Sequence, residues 1–452
     1  MAHAAWACDF SAAQCCDLQS TSWQNYAAVH VKNTSAFSAS LVEVAAVGGS
    51  AVWLDESTVD SSVRGCYLHD LAAGGVRVGA ANTCSNGTVK NVSLSNNRIG
   101  RGGAVFPDGT GVTVHNAAGV VVAHNEIAYF SYTGVSLGWC WSYANQTRVG
   151  GHAVAANWVH HLGVGLQRQL GDAMACFYSL GELAGSEVHH NLCHDVGAYY
   201  TGGFGTSQDQ ASSGLRIHHN VIARTTGAGV NQHYGVGNSV ENNVVAFSNV
   251  NSSAVNGTTV NRGAVRSYAQ ENLPSTMHIE RNIVLQDDPH AILMNDMYLP
   301  WVDVGGAHGG PAGHGVWAFN FTKNLYWNPA NASLPALPVW GGCQGCGASS
   351  ALAPRQLTFA EWQSGCGTDF ASYAARAATG NCSGSEARRG PPQDVGSIFA
   401  DPLFADATNL NFTLLPGSPA LALGFEPIDL SNVGPQGVPW PPLQPFDAPL
   451  SL

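Results

Sequence analysis

Two aspartates of this chain, Asp172 and Asp209, have the type and spacing that hydrolysis by paired carboxylates requires. Asp172 follows Asn157, and Asp209 follows Asn191, at similar distances along the sequence. If both asparagines mark the same turn of successive strand coils, the two carboxylates share one stripe and lie roughly 5–9 Å apart. That range fits the acid and the nucleophile or base of a retaining or an inverting glycosidase. Coil phase therefore makes Asp172 and Asp209 candidates for the catalytic pair, with the order of their roles open.

Other side chains fall near the same stripe and suit substrate binding. His233, Trp139 and Asp296 each follow a comparable asparagine by a similar spacing. Aromatic rings offer a flat apolar face on which a sugar ring stacks, although any one of them fits a hydrophobic core equally well. The predicted substrate-binding residues are Trp139, Tyr178, His233, Tyr234, Tyr199 and Asp296.

The elements that must position these residues follow from a repeated phrase, apolar–x–x–Asn–x–apolar. The intervals between successive copies of the phrase vary, but each is close to the length of one β-helical coil. This pattern indicates stacked supersecondary units with insertions. The units are short strands, because no helical periodicity accompanies the phrase. Inward asparagines can hydrogen-bond to one another along such a stack. The phrase is centred on Asn97, Asn125, Asn157, Asn191, Asn220, Asn243, Asn282 and Asn324.

The phrase predicts an all-β protein, a single right-handed parallel β-helix solenoid with loop insertions that forms one domain over residues 1–452. The handedness follows the rule for parallel crossovers. The composition agrees, since the chain has 53 glycines and only 11% charged residues, against about 25% in an average domain. A solenoid also explains how a chain of this length forms one domain, because each coil is stabilised by contacts with its neighbouring coils alone.

Charge and hydropathy exclude other classes of protein. The net charge of −12, with 18 Lys and Arg, argues against nucleic-acid binding. No apolar stretch is long and uncharged enough to predict a membrane span. We expect a monomer whose partner is a polysaccharide or oligosaccharide, with no cofactor and no metal.

Ten Asn-x-Ser/Thr sequons and twelve cysteines favour a secreted, disulfide-bearing glycoprotein. The first residues lack the basic and apolar regions of a signal peptide, so we expect the chain to be N-terminally truncated. Residues 329–392 are predicted to leave the solenoid as an excursion stapled by disulfides. Cys343 and Cys346 form a CxxC motif, but the next two cysteines are too far apart to form a second one, which disfavours a zinc site. The cysteines of this excursion are Cys343, Cys346, Cys366 and Cys382.

Four further cysteines and three histidine doublets have plainer interpretations. Cys66 and Cys84 suit a further disulfide, and Cys176 and Cys193 suit buried apolar positions. Adjacent residues of a strand point to opposite faces, so a doublet is poorly placed to chelate one ion. We therefore predict that the doublets pack at turns and bind no metal. They are His160-His161, His189-His190 and His218-His219.

Several longer motifs are spread over residues 27 to 435: Ala73–Gly79, Gly103–Pro107, Tyr132–Trp139, His194–Val196, Gly202–Gly205, Asp209–Gly214, Gln232–Gly235, Asp401–Phe404 and Pro416–Leu421. Together they resemble motifs of the parallel β-helix glycosidases of glycoside hydrolase family 141 and their uncharacterised relatives. The resemblance implies the β-helix fold and activity on fucosyl or xylan-type linkages of plant cell-wall glycans.

Asp172 and Asp209 match the two aspartates of that family's proposed catalytic pair. The chain departs from the family pattern by an inserted residue, Ala173, and by Gln210 in place of a glutamate. Two other functions stay open. A polysaccharide lyase or uronan epimerase needs a cation to neutralise a uronate and a base for the α-proton. A non-catalytic glycan-binding solenoid needs only the aromatic residues.

Overall fold

The structure, a computed structural model, describes 14 stretches of the chain. Their contacts cluster into two units, unit 1 (residues 1–215 and 429–452) and unit 2 (residues 216–428). No helix within them is long and apolar enough to cross a membrane. The described residues are 26–79, 84–140, 142–143, 149–163, 174–198, 202–233, 235–248, 263–269, 277–289, 291–296, 319–331, 339–341, 355–366 and 392–445.

Unit 1 is a stack of coils that each contribute short strands to three parallel sheets. The first sheet contains β1 (Ala27–Val31), β4 (Ser50–Leu54), β7 (Val76–Val78), β10 (Val112–His115), β14 (Val135–Gly138), β17 (Ala175–Leu180) and β20 (Phe204–Gln208). The second contains β2 (Ser38–Ser40), β5 (Val59–Arg64), β8 (Val89–Ser95), β11 (Ala117–Ala118), β12 (Val121–Ala123), β15 (Ala153–Ala155) and β18 (Glu182–His189). The third contains β3 (Glu43–Val47), β6 (Tyr67–Leu71), β9 (Arg98–Gly102), β13 (Glu126–Phe130), β16 (Trp158–Leu162) and β19 (Leu192–Val196).

Unit 2 repeats this arrangement. Its first sheet contains β23 (Val230–His233), β26 (Gly263–Ala269), β29 (Ile292–Asp296), β32 (Val339–Gly341) and the antiparallel β33 (Arg355–Leu357). The second contains residues 216–218 at the end of β21 (Ser213–His218), together with β24 (Asn238–Glu241), β27 (Met277–Glu280) and β30 (Phe319–Thr322). The third contains β22 (Val221–Thr225), β25 (Val244–Ser248), β28 (Ile283–Leu285), β31 (Leu325–Trp327) and β34 (Ile398–Phe399). An antiparallel hairpin follows, β35 (Phe404–Asp406) and β36 (Asn411–Leu414).

Helical structure among the described residues is short. It comprises α1 (Phe359–Gln363), α2 (Pro419–Ala422) and two 3₁₀ turns at Pro329–Asn331 and Ala407–Asn409. The prediction of an all-β parallel solenoid is confirmed.

The asparagines of the repeated phrase form a buried ladder within unit 1. The backbone N–H and the Nδ2 of Asn97 both donate to Oδ1 of Asn125, at 2.9 Å each. The same pair of bonds joins Asn125 to Asn157 and Asn157 to Asn191, at 2.8–3.0 Å. The ladder begins at Cys66, whose N–H donates to Oδ1 of Asn97 at 2.9 Å. Each amide thus satisfies polar groups of two coils in a dry interior, where an unmade bond is costly.

The residue before each ladder position adopts the left-handed conformation, which makes the sharp turn from the second sheet to the third. In unit 1 the φ angles there run from 53° to 63°. A non-glycine residue accepts this conformation at a cost, so the ladder bonds hold the turn in place. The residues are Gly65, Asn96, His124, Ala156 and His190.

The ladder of unit 2 runs from Asn220 through Asn243 and Asn282 to Asn324, with bonds of 2.9–3.1 Å. It ends on the fully buried Asp394, which accepts from Nδ2 of Asn324 at 3.0 Å. The predicted asparagine row is therefore present within each unit.

Asp394 also joins the end of unit 2 to the predicted excursion. It accepts from the Tyr326 hydroxyl, Trp362 Nε1 and the Ser397 hydroxyl, at 2.8, 2.8 and 2.7 Å. Burial raises the pKa of Asp394, and these hydrogen bonds oppose the rise. Trp362 lies in α1, so the carboxylate anchors part of the excursion to the last coil.

The cysteines differ from the sequence predictions in two respects. Cys84 pairs with Cys140, and Cys66 is a buried free thiol, so the predicted Cys66–Cys84 bridge is wrong. Cys176 and Cys193, predicted as buried apolar residues, are buried, but they also form a disulfide that joins β17 to β19.

Cys366 in the excursion is disulfide-bonded. The other three excursion cysteines, Cys343, Cys346 and Cys382, lie outside the described residues.

A return segment, residues 429–445, packs along the outside of unit 1 near the ladder turns. Trp440 Nε1 donates to the Gly65 carbonyl at 2.7 Å, and the Gln436 N–H donates to Oδ1 of Asn96 at 3.0 Å. The Leu443 N–H donates to the carboxylate of the buried Glu126 at 3.0 Å. The segment therefore satisfies polar groups that these turns and the third sheet present outward.

Candidate functional site

The first sheet of unit 1 carries a row of polar and aromatic residues in register on one face, which we call the polar row. Most members lie within a strand between two apolar neighbours, such as Val76-Arg77-Val78, because strand side chains alternate between the two faces. The row runs His30, Trp53, Arg77, Thr113, Ser136, Tyr178 and Ser207.

Asp209 lies at the end of this face, in the turn directly after β20. Its Oδ2 accepts a hydrogen bond from the hydroxyl of Tyr178, and its Oδ1 accepts from the backbone N–H of Gln210 at 2.8 Å. Asp209 is 5% exposed and Tyr178 is 1% exposed. Both groups donate to the carboxylate, so each of its oxygens is held by one hydrogen bond.

Trp139 packs against this pair in the turn after β14. Its ring lies 5.7 Å from that of Tyr178, with 36° between the planes, and its Nε1 donates to the Ser136 hydroxyl at 2.7 Å. Its φ of 84° is unusual for a bulky residue. The neighbouring Cys140 is held by the disulfide to Cys84. Trp139 is thus fixed between a hydrogen bond and a covalent link.

The structure brings together three of the predicted site residues: Asp209, Tyr178 and Trp139. The predicted partner carboxylate, Asp172, and the aromatic residues Tyr199 and Tyr234 lie outside the described residues.

The other two predicted site residues belong to unit 2. His233 ends β23 and is partly exposed. Asp296 ends β29, and its side chain lies outside the described atoms.

Sequence reasoning missed the other end of the polar row. His30 stacks on Trp53 with centroids 4.3 Å apart and planes 2° apart, and its Nε2 lies 2.9 Å from a carboxylate oxygen of Asp55. The guanidinium of Arg77 lies 4.2 Å above the Trp53 ring, a cation–π contact. Burial lowers the pKa of Arg77 to about 10, and the charge of Asp55 opposes this. Each of His30, Trp53 and Arg77 lies between two apolar residues of a strand, and this alternation is visible in the sequence.

Three of the solved structures similar to this chain have descriptions that concern carbohydrates. A structure described as a glycoside hydrolase is 23% identical, with a TM-score of 0.42, over 49% of this chain and 38% of that one. A complex of XylC with xylose is 11% identical, with a TM-score of 0.40, over 79% and 55%. A PL6 alginate lyase in complex with a trisaccharide is 14% identical, with a TM-score of 0.37, over 67% and 72%.

The chain spans less than two thirds of the length of the first two of these proteins. The sequence matches no protein-family model and no curated protein. At these identities and TM-scores, the similarity assigns no activity to this chain.

Proposed function

We propose that the protein is a carbohydrate-active enzyme that hydrolyses glycosidic bonds of a cell-wall or extracellular polysaccharide, with Asp209 as one of its two catalytic carboxylates. The observation that carries this proposal is the hydrogen bond from Tyr178 to Asp209 beside the ring of Trp139. It places a carboxylate beside two aromatic rings, and glycoside hydrolysis uses both kinds of side chain.

The contacts favour a role for Asp209 as nucleophile or base. Both of its oxygens accept hydrogen bonds, from the Tyr178 hydroxyl and from the Gln210 N–H. A general acid must instead donate a proton to the leaving oxygen. Asp172, predicted from coil phase and from the resemblance, is then our candidate for the acid.

The resemblance to glycoside hydrolase family 141 directs the first choice of substrate to fucosylated and xylan-type cell-wall glycans. Secretion is part of the same proposal, since two disulfides lie in unit 1 and such a substrate is extracellular.

Product chemistry tests the proposal. The purified protein would be incubated with a panel of cell-wall polysaccharides, and reducing ends and ultraviolet absorbance would both be recorded. New reducing ends without absorbance support a hydrolase. An unsaturated product that absorbs in the ultraviolet would instead identify a lyase. Tight retention of a glycan without any product would identify a binding protein.

A further inference from the structure

A cluster of imidazole and carboxylate groups lies on the third sheet of unit 1, away from the first sheet that carries the polar row. Strands β16 and β19 pair in register, with His160 beside His194, so that His161 and Asp195 occupy the next position of each strand. One ligand atom from each of His161, His194 and Asp195 lies within 4.8 Å of the others. Within the described stretches, this is the one group of three such residues that meets this distance.

Left-handed backbone explains how sequence neighbours reach the same place. His161 and Asp195 have φ of 53° and 57°, which breaks the alternation of a regular strand. Nδ1 of His160 and Nδ1 of His161 are consequently 2.8 Å apart, and Nδ1 of His194 lies 2.6 Å from Oδ2 of Asp195. The premise that a His-His doublet must point to opposite faces is therefore wrong for this chain.

We propose that His161, His194 and Asp195 bind a divalent transition-metal ion such as Zn²⁺. Two neutral imidazoles and one carboxylate form a common ligand set for zinc, and imidazole also suits nickel and copper. The ion joins two adjacent coils, because its ligands come from the paired strands β16 and β19. Its place on the third sheet assigns it a structural role rather than a part in the chemistry at Asp209.

The hydrogen bond from Trp158 to His194 predicts how a substitution of Trp158 changes the affinity for the metal. Its Nε1 donates to Nε2 of His194 at 2.8 Å, so in this state the imidazole proton lies on Nδ1, facing Asp195. Metal binding through Nδ1 moves that proton to Nε2, where it meets the indole N–H. Removing the indole donor should therefore tighten binding.

Calorimetric titration of the chelator-treated full chain with zinc chloride tests the site. We expect one ion per chain, affinity at least tenfold weaker for His161→Asn and for Asp195→Asn, and tighter binding for Trp158→Phe. The matched control is His190→Asn. It makes the same change at the same left-handed φ of 53° in a doublet of the same geometry, with Nδ1 atoms 3.0 Å apart, and should bind as the wild type does.

Circular dichroism checks that each variant is folded. Cobalt(II) absorption of the wild-type chain gives a readout that needs no variant, since nitrogen and oxygen ligands in a low-symmetry site give visible bands. The proposal is overturned if the wild type shows no saturable binding. It is also overturned if the cluster variants and His190→Asn weaken binding equally, or if Trp158→Phe binds no more tightly than the wild type.

Discussion

Tyr178 and Asp209 are joined by a hydrogen bond between adjacent coils of unit 1. Tyr178 pairs with Ser207 in the first sheet, and Asp209 follows shortly after Ser207, where the backbone turns. The Asp209 N–H donates to the Ser179 carbonyl at 2.8 Å, and the Ser212 N–H donates to the Asp209 carbonyl at 2.9 Å. The carboxylate is thus held from its backbone and from both of its oxygens.

Replacing Asp209 with Asn keeps the shape of the side chain and removes its charge. Hydrolysis should fall by about 10²–10⁴-fold, because a positioned acid, base or nucleophile is lost. Retention of the glycan on an affinity gel should stay near that of the wild type. Asp60→Asn, at an exposed position on the second sheet, is the matched control and should keep full activity. An Asp209→Asn enzyme with most of the wild-type rate would rule out the assignment.

Tyr178→Phe removes one donor to Asp209 and leaves the ring against Trp139. The carboxylate loses the hydrogen bond that fixes one of its oxygens, so kcat should fall about tenfold while KM changes little. An unchanged kcat would mean that this hydrogen bond serves folding alone.

Asn157→Ala interrupts the ladder of unit 1 at its middle. The N–H and Nδ2 of Asn125 lose their shared acceptor in a fully buried place. The free energy of unfolding should fall by about 2–5 kcal/mol, measured by urea denaturation. Asn320→Ala, at an exposed position of β30, should change it by less than about 0.5 kcal/mol. Equal effects of the two substitutions would show that the ladder adds no stability.

His152 should make stability depend on pH in the acid range. It is 2% exposed, its Nδ1 accepts from the Val120 N–H at 3.2 Å, and burial lowers its pKa from 6.5 to about 4. The unfolded chain binds the proton more readily than the folded chain does. The contribution of neutral, buried His152 to the free energy of unfolding is therefore complete above pH 6.5 and is lost as pH falls towards 4. The loss over that window is about 3 kcal/mol.

His152→Asn keeps an acceptor for Val120 and removes the titration. Urea denaturation at pH 7 and at pH 4.5 should show a smaller pH-dependent loss of stability in this variant than in the wild type. Identical losses would contradict the assignment, since every other titrating group is common to both proteins.

The two disulfides of unit 1 should differ in their effect on stability. Cys84–Cys140 closes 56 residues and Cys176–Cys193 closes 17. Loop entropy predicts losses of about 4 and about 3 kcal/mol when each pair is replaced by serine. The first replacement should also lower activity, because Cys140 adjoins Trp139. Thermal unfolding and the hydrolysis assay measure the two effects, and unaltered activity would separate the disulfide from the site.

The sequence carried enough information to predict the coil architecture, because a buried amide in each ladder turn leaves a recognisable phrase. Asn125 and Asn157 stack as the phrase required. The phrase first occurs at Asn97, and the spacing to site residues was counted forward from each asparagine. Trp53 and Arg77 precede Asn97, so this count did not reach them.

Contacts across the interior and within left-handed turns escaped prediction for physical reasons. Cys176 and Cys193 lie on different sheets, and sequence spacing does not show which interior positions of a coil meet. The doublet His160-His161 was interpreted with ordinary strand alternation, but a left-handed residue reverses the direction of the next side chain. Tyr178 and Asp209 were each selected, but their hydrogen bond depends on the turn after β20.

The return segment makes the completion of unit 1 a late event in folding. The bond from Trp440 to Gly65 spans 375 residues, and that from Gln436 to Asn96 spans 340. Such contacts raise contact order, and closing them is slow compared with pairing neighbouring coils. During synthesis the early coils emerge before the residues that cover their turns have been made. The outer polar groups of those turns therefore stay hydrated until the return segment has been synthesised.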